Sequence, residues 1–132
     1  MSAPIHIQLQ VTPDAWVGIG NDEIKVPIGT EAGMLRPYEL LLMSLGGCLQ
    51  STFQDIAGKM RVSWNSIVFD IQGEKRQTPP TTLKHCRITA SVSGADQKQK
   101  LEKAFATAAR YCSVYQTLSK VAEMEWHLEF TD

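Results

Sequence analysis

No uncharged stretch of this chain is long enough to span a bilayer. The longest runs from Leu40 to Gln54, 15 residues that include Ser44, Gln50 and Ser51, whereas a membrane helix needs about 20 mostly apolar residues. Neither sign of charge is in excess: 13 Lys+Arg stand against 14 Asp+Glu. That balance provides no basic face for a nucleic acid. The start, Met1-Ser2-Ala3-Pro4-Ile5-His6, has neither a basic segment nor an apolar run, so no signal peptide is expected. There is no CxxC pair and no Cys/His cluster at zinc spacing. His-Glu-x-x-His and Gly-x-Ser-x-Gly are missing, and Gly18-Ile19-Gly20 has Glu23 where a dinucleotide loop needs a third glycine. The expectation is a protein of the cytoplasm with no metal and no cofactor.

What is present is the composition of a packed domain. Its 132 residues are 43% apolar and 20% charged, which fits a single domain over 1–132. Ile5, Ile7, Leu9 and Val11 alternate with polar residues, the period of a half-buried strand. Trp16 to Ile19 is a second strand, and Ile24, Val26 and Ile28 mark a third. Pro37 then opens a run without proline up to Pro79. Proline suits the first helical position because its missing N–H is not needed there. The pattern predicts a helix over 37–59, roughly 35 Å long at 1.5 Å per residue. Leu40, Leu41, Leu42, Met43, Leu45, Cys48 and Leu49 cover most of its circumference, so it is expected to be buried on most sides.

Beyond it, strands are expected over about 64–74 and through Cys86, Ile88, Ala90 and Val92, joined by Thr78-Pro79-Pro80-Thr81. Gly94-Ala95-Asp96 introduces a second helix with the stripe Leu101, Ala104, Phe105, Ala108 and Cys112. Ser113-Val114-Tyr115-Gln116 fits a capping box, predicting a short third helix. Trp126, Leu128 and Phe130 alternate in a last strand. The order βββ-α-ββ-αα-β is that of an α+β protein with an antiparallel-rich sheet.

Chemistry can rest on few residues. Gly46-Gly47 interrupts the long helix, at about 1 kcal/mol each against alanine. Either close packing or space beside Cys48 for a ligand accounts for the pair. Cys48 is an inert core thiol or a reactive one, and ionisation decides which. Cys112 continues an apolar stripe, yet it also precedes a helix start, where N–H groups favour a thiolate. Cys86 lies between His85 and Arg87, but in a strand those neighbours point to the opposite face, and a core role is expected. His6, His85 and His127 each stand alone in a strand.

The run Arg36-Pro37-Tyr38-Glu39-Leu40-Leu41-Leu42-Met43-Ser44-Leu45-Gly46-Gly47-Cys48 resembles the signature of the OsmC/Ohr family, the osmotically inducible and organic hydroperoxide resistance proteins. Arg110-Tyr111-Cys112-Ser113-Val114 stands where that family has its second cysteine, usually in a Cys-Pro-Val context. The resemblance implies a two-layer OsmC-like fold forming an intertwined homodimer. It implies a cysteine-based peroxidase for organic and possibly hydrogen peroxide, acting in oxidative-stress defence, with a dithiol or lipoylated protein as reductant. By position, Cys48 is the peroxidatic and Cys112 the resolving cysteine. The family's hydroperoxide-resistance enzymes carry a thiolate-stabilising arginine in their N-terminal strands, and residues 1–35 contain none. Arg36 or Arg110 is expected to substitute for it. Tyr38 follows the helix-opening proline where those enzymes have glutamate, and Glu39 reads as an acidic residue of the first helical turn. The alternative is a non-catalytic OsmC-like protein that binds a small apolar ligand, or a thiol redox sensor.

Overall fold

A computed structural model describes residues 4–131, so the first three residues of the N-terminal stretch lie outside it. The strands are β1 (Gln8–Val11), β2 (Trp16–Ile19), β3 (Lys25–Pro27), β4 (Ser66–Lys75), β5 (Leu83–Ser93) and β6 (Glu123–Thr131). The helices are α1 (Pro37–Lys59), α2 (Lys98–Tyr111) and α3 (Ser113–Ser119). The expected order βββ-α-ββ-αα-β is therefore the observed one, and the fold is α+β. The chain divides into two compact units, 1–41 and 42–132.

In the first unit, β1, β2 and β3 form an antiparallel meander with β2 in the middle. The sequence pattern predicts a half-buried β1. Instead Ile7, Leu9 and Val11 are 63%, 50% and 60% exposed, because β1 is an edge strand and nothing in its own unit covers it. Ile7, Leu9, Ile19, Ile24, Val26 and Leu40 line an apolar groove of about 350 Å³. The unit ends in the start of α1. There the Arg36 backbone N–H donates to Glu39 Oε1 at 2.8 Å, and the Arg36 carbonyl accepts from Leu40. Glu39 thus supplies the reach-back half of a capping box around Pro37, as its place in the first turn suggests.

In the second unit, β4 pairs antiparallel with β5, and β5 pairs parallel with β6. One face of this sheet carries the helices. Phe53 and Ala57 from α1, Ala90 from β5, and Leu101, Ala104, Phe105 and Ala108 from α2 form the core. Phe105 is central: its ring centroid lies 5.7 Å from Phe53, 6.2 Å from Phe69 and 5.0 Å from Trp126.

The long helix is not buried on most sides within this chain. Leu45, Leu49, Phe53 and Ala57, spaced by four, form one buried stripe, while Met43 is 57% exposed. A spacing of four places side chains one above another, so one sheet and one helix cover a single stripe. The two glycines also divide. A Cβ on Gly46 would lie 3.1 Å from Ile71 Cδ1, whereas one on Gly47 would meet nothing within 4 Å. Gly46 serves helix–sheet packing, and Gly47 leaves open space.

The second helix begins later than its sequence signal, at Lys98. Asp96 does not cap it. Its carboxylate accepts from the Ser63 backbone N–H and hydroxyl, both at 3.0 Å, tying the end of the α1–β4 connection to the β5–α2 turn. Gly94 makes that turn at φ +69°, and a Cβ there would fall 2.2 Å from Asn65 Nδ2, so glycine is required.

On the outer face of the sheet, Glu125 of β6 gathers three donors. Arg87 Nε lies 2.6 Å from Oε1, His85 Nε2 lies 3.1 Å from Oε2, and His127 Nε2 lies 3.4 Å from Oε1. Parallel register places Arg87 directly beside Glu125. Arg87 first, then His85, pulls the Glu125 carboxyl down to about 2 from its usual 4.5. A carboxyl depressed by folding contributes stability above its unfolded pKa, and loses it as pH falls through the folded one. Glu125→Gln is expected to destabilise the protein at pH 7, with the difference shrinking below about pH 4.5 and vanishing near pH 2. Urea midpoints measured across that range check it, and a pH-independent difference would refute the account.

Candidate thiol site

Both candidate cysteines belong to the second unit, and helix geometry brings them together. Cys48 lies on α1 three residues after the buried Leu45, turned part-way out of the core and half-exposed. Cys112 lies in the break between α2 and α3, fully buried. Its N–H still completes α2 by donating to the Ala108 carbonyl at 2.7 Å, and its carbonyl accepts the first α3 bond, from Gln116, at 3.0 Å. At φ −69° and ψ 116° Cys112 is extended, so the chain turns there and α3 sets off in a new direction.

That break replaces the expected capping box. Cys112, not Ser113, is the N-cap, and no side-chain cap hydrogen bond forms. Gln116 donates instead from Nε2 to the Ala109 carbonyl at 3.1 Å. The Ser113 hydroxyl lies 3.7 Å from Cys48 Sγ. Both ends of the box are occupied by tertiary contacts, which local sequence could not reveal.

The two thiols are pushed in opposite directions. Burial raises Cys48, but hydrogen bonds from the Val114 backbone, the Cys112 thiol, and the hydroxyl and backbone of Ser113 outweigh it. The net result is a Cys48 pKa below the ordinary thiol value. Cys112 is pushed up to about 11, first by burial and then by its hydrogen bond to Cys48 and the Cys48 charge. A thiolate at Cys112, suggested by its place before a helix, is therefore disfavoured. The N–H group of Val114 at that helix start acts most strongly on Cys48 among the groups that lower it. Cys48 is thus the accessible, ionisable sulfur, and Cys112 is a protonated donor beside it.

The other candidates lie elsewhere or have other partners. Arg36 belongs to the first unit, where its Nη2 donates to the Thr30 carbonyl at 3.2 Å. Arg110 is exposed at the end of α2, with its guanidinium 5.6 Å from the centroid of the Tyr111 ring. Cys86 is fully buried in β5, and burial pushes its thiol up, as an inert core residue requires. His85 and Arg87 point to the opposite face, towards Glu125, as strand alternation predicts. Tyr115 packs where the Cys86 and Cys112 charges act on it, and burial chiefly raises its phenol. Sequence reasoning missed Ser113, Val114 and Tyr115 as neighbours of the thiols. The one available signal, a serine directly after Cys112, was absorbed by the capping pattern. Among the described residues no cluster of three or more His, Cys, Asp or Glu could hold a metal ion, and no helix is long and apolar enough to cross a membrane.

Known proteins share this architecture. An OsmC-like protein from Mycoplasma pneumoniae superposes with a TM-score of 0.89 over 100% of both chains, at 15% identity. An organic hydroperoxide resistance protein OsmC from Legionella pneumophila gives 0.76 over 96% of this chain and 97% of its own, at 16% identity. The organic hydroperoxide resistance protein OhrB of Bacillus subtilis gives 0.69 over 96% and 98%, at 12% identity. Identities this low show a common fold and nothing finer. No curated protein matches the chain. The OsmC-like protein family matches residues 29–127, a span that runs from the loop before α1 into β6 and includes both cysteines of the site, and the chain belongs to that family.

Proposed function

We propose that this protein is a thiol peroxidase that reduces organic hydroperoxides. The observation that carries the reading is the opposed ionisation of two neighbouring sulfurs: an accessible Cys48 with a lowered pKa beside a buried, protonated Cys112. The Cys48 thiolate attacks the terminal peroxide oxygen. The O–O bond breaks, the alkoxide takes a proton and leaves as an alcohol, and Cys48 becomes a sulfenic acid. Cys112 then attacks that sulfur. Its proton leaves with the hydroxyl as water, and a Cys48–Cys112 disulfide remains. A dithiol, such as that of a lipoylated protein, restores both thiols by exchange. Such a cycle belongs in a reducing compartment like the cytoplasm.

The structure supports an order of events. While Cys48 is a thiolate, its charge and hydrogen bond hold Cys112 protonated. Oxidation of Cys48 removes both influences, leaving burial alone to raise the Cys112 pKa. Cys112 therefore becomes a better nucleophile only once there is something to resolve.

The functional unit in this reading is a homodimer. The exposed apolar edge strand β1 and the groove beside it are surface that a second copy would bury. Sedimentation at micromolar concentration should give about twice the mass of the chain, and a monomer mass would end that part of the proposal.

Anaerobic titration of the reduced protein with an alkyl hydroperoxide tests the chemistry. One equivalent should consume two thiols, and peptide mapping should find a 48–112 disulfide with Cys86 free. Thiols that survive excess peroxide would instead favour the ligand-binding alternative. A disulfide that forms but is not reduced by dithiols would favour the sensor.

A further inference from the structure

We propose that Ser113 is the positioning residue for the Cys48 sulfur, its hydroxyl donating a hydrogen bond to the thiolate in the place of a cationic side chain. This rests on the reading of Cys48 as the reactive sulfur.

The Cys48 sulfur faces this hydroxyl as a thiolate. It carries no proton, so it can only accept, and a hydroxyl facing it must donate. Ser113 Oγ lies 3.7 Å from Cys48 Sγ, a contact between residues 65 apart in sequence. Nothing about the helix start demands that orientation. Cys112 holds the N-cap position, so Ser113, the first residue of α3, is not placed to cap a backbone N–H with its hydroxyl. The hydroxyl is directed to the sulfur instead.

The backbone of the same residue reinforces it. The N–H of Ser113 also acts on Cys48, together with that of Val114, and each favours the ionised sulfur. Ser113 therefore brings two donors, one of which any residue except proline would supply. The arginines near the motifs have other partners: Arg36 bonds the Thr30 carbonyl and Arg110 lies over Tyr111. The facing groups that act on the sulfur, Cys112, Ser113 and Val114, all sit at the α2–α3 break, and all are uncharged when Cys48 ionises. A thiolate held by neutral donors in this way is less screened by salt than one held by an ion pair across solvent.

The test separates the two donors. Ser113→Ala removes the hydroxyl alone, Ser113→Thr retains it, and Ser113→Pro removes hydroxyl and N–H together. The proline variant is compatible with the backbone, because Ser113 occupies the first position of α3 and Cys112 before it is already extended. Iodoacetamide alkylation of the full-length reduced protein, read at the Cys48 peptide by mass spectrometry across about pH 5 to 10, reports the thiolate directly. Ser113→Ala should raise the alkylation midpoint by about half to one pH unit. Ser113→Thr should match the parent, and Ser113→Pro should shift it further than alanine does. An unchanged midpoint in Ser113→Ala, or a threonine variant that behaves as alanine, overturns the proposal. Should the proline variant fail to fold, the alanine and threonine pair decides alone. The readout does not depend on turnover. Midpoint shifts in a protein that consumes no peroxide would refute the peroxidase reading and leave the role of Ser113 intact.

Discussion

Cys48→Ser is expected to lower hydroperoxide turnover by at least about a thousandfold, the scale of losing a covalent nucleophile. A serine hydroxyl in the same position has no accessible ionised form near neutral pH, and the donors around residue 48 can act only on charge that exists. Cys112→Ser should behave differently. The first equivalent of peroxide is still consumed, because Cys48 retains the Val114 and Ser113 hydrogen bonds, but turnover then stalls. Cys48 remains a sulfenic acid, and more peroxide drives it on to the irreversible sulfinic acid. Stopped-flow consumption with intact-mass analysis distinguishes the two variants: no burst for Cys48→Ser, one equivalent and then a mass gain of oxygen for Cys112→Ser. Equal loss of the first turnover in both would mean that Cys112 is required for the attack itself, and the division of labour would be wrong.

Phe105→Ala should have the largest effect on stability. Its side chain is fully buried, and its ring meets those of Phe53, Phe69 and Trp126. Truncation removes burial and leaves a cavity whose walls belong to α1, β4 and β6 and cannot close together. Such changes cost about 3–5 kcal/mol, a large share of the 5–15 kcal/mol or so that stabilises a typical domain. Urea unfolding should show a much lower midpoint with little change in slope. A loss under about 1 kcal/mol would show that this cluster is not the centre of the core. The site is coupled to that core. Phe105 lies on α2, and Ala108, one turn from the end of the same helix, is buried in the cluster while its carbonyl holds the Cys112 N–H. A folded Phe105→Ala protein should therefore form the 48–112 disulfide more slowly, even though no atom of either cysteine has changed.

Much of this protein was legible before any tertiary structure. Pro37 and the absence of further proline marked α1 at its observed bounds, Pro37–Lys59. Alternation through Cys86 assigned that thiol to the core and sent His85 and Arg87 to the other face. The two cysteine segments pointed to the family. These readings succeed because periodicity is local: a period of two or of 3.6 states which residues share a face. The same logic fails where the question is what covers a face. The apolar residues of β1 alternate as a half-buried strand should, yet they stand exposed in the single chain. The all-round apolar α1 buries only one stripe. Gly46 and Gly47 look alike in sequence and differ in structure, since Ile71 faces one and nothing faces the other.

The sequence by itself determined the order of elements and the face on which Cys86 lies, and the family resemblance marked Cys48 and Cys112 as candidates. Only the tertiary structure decided which sulfur ionises. That outcome depends on donors from residues 112–114 meeting residue 48 across a separation of more than sixty residues. Ser113-Val114-Tyr115-Gln116 fits a local capping pattern, and the pattern is overruled because Cys112 takes the N-cap position and the Gln116 side chain donates to the Ala109 carbonyl. Packing around Phe105 sets the direction of α2, the break at Cys112 sets that of α3, and together they turn the hydroxyl towards sulfur. A hydrogen bond depends on a few tenths of an ångström, and no one-dimensional period carries that information.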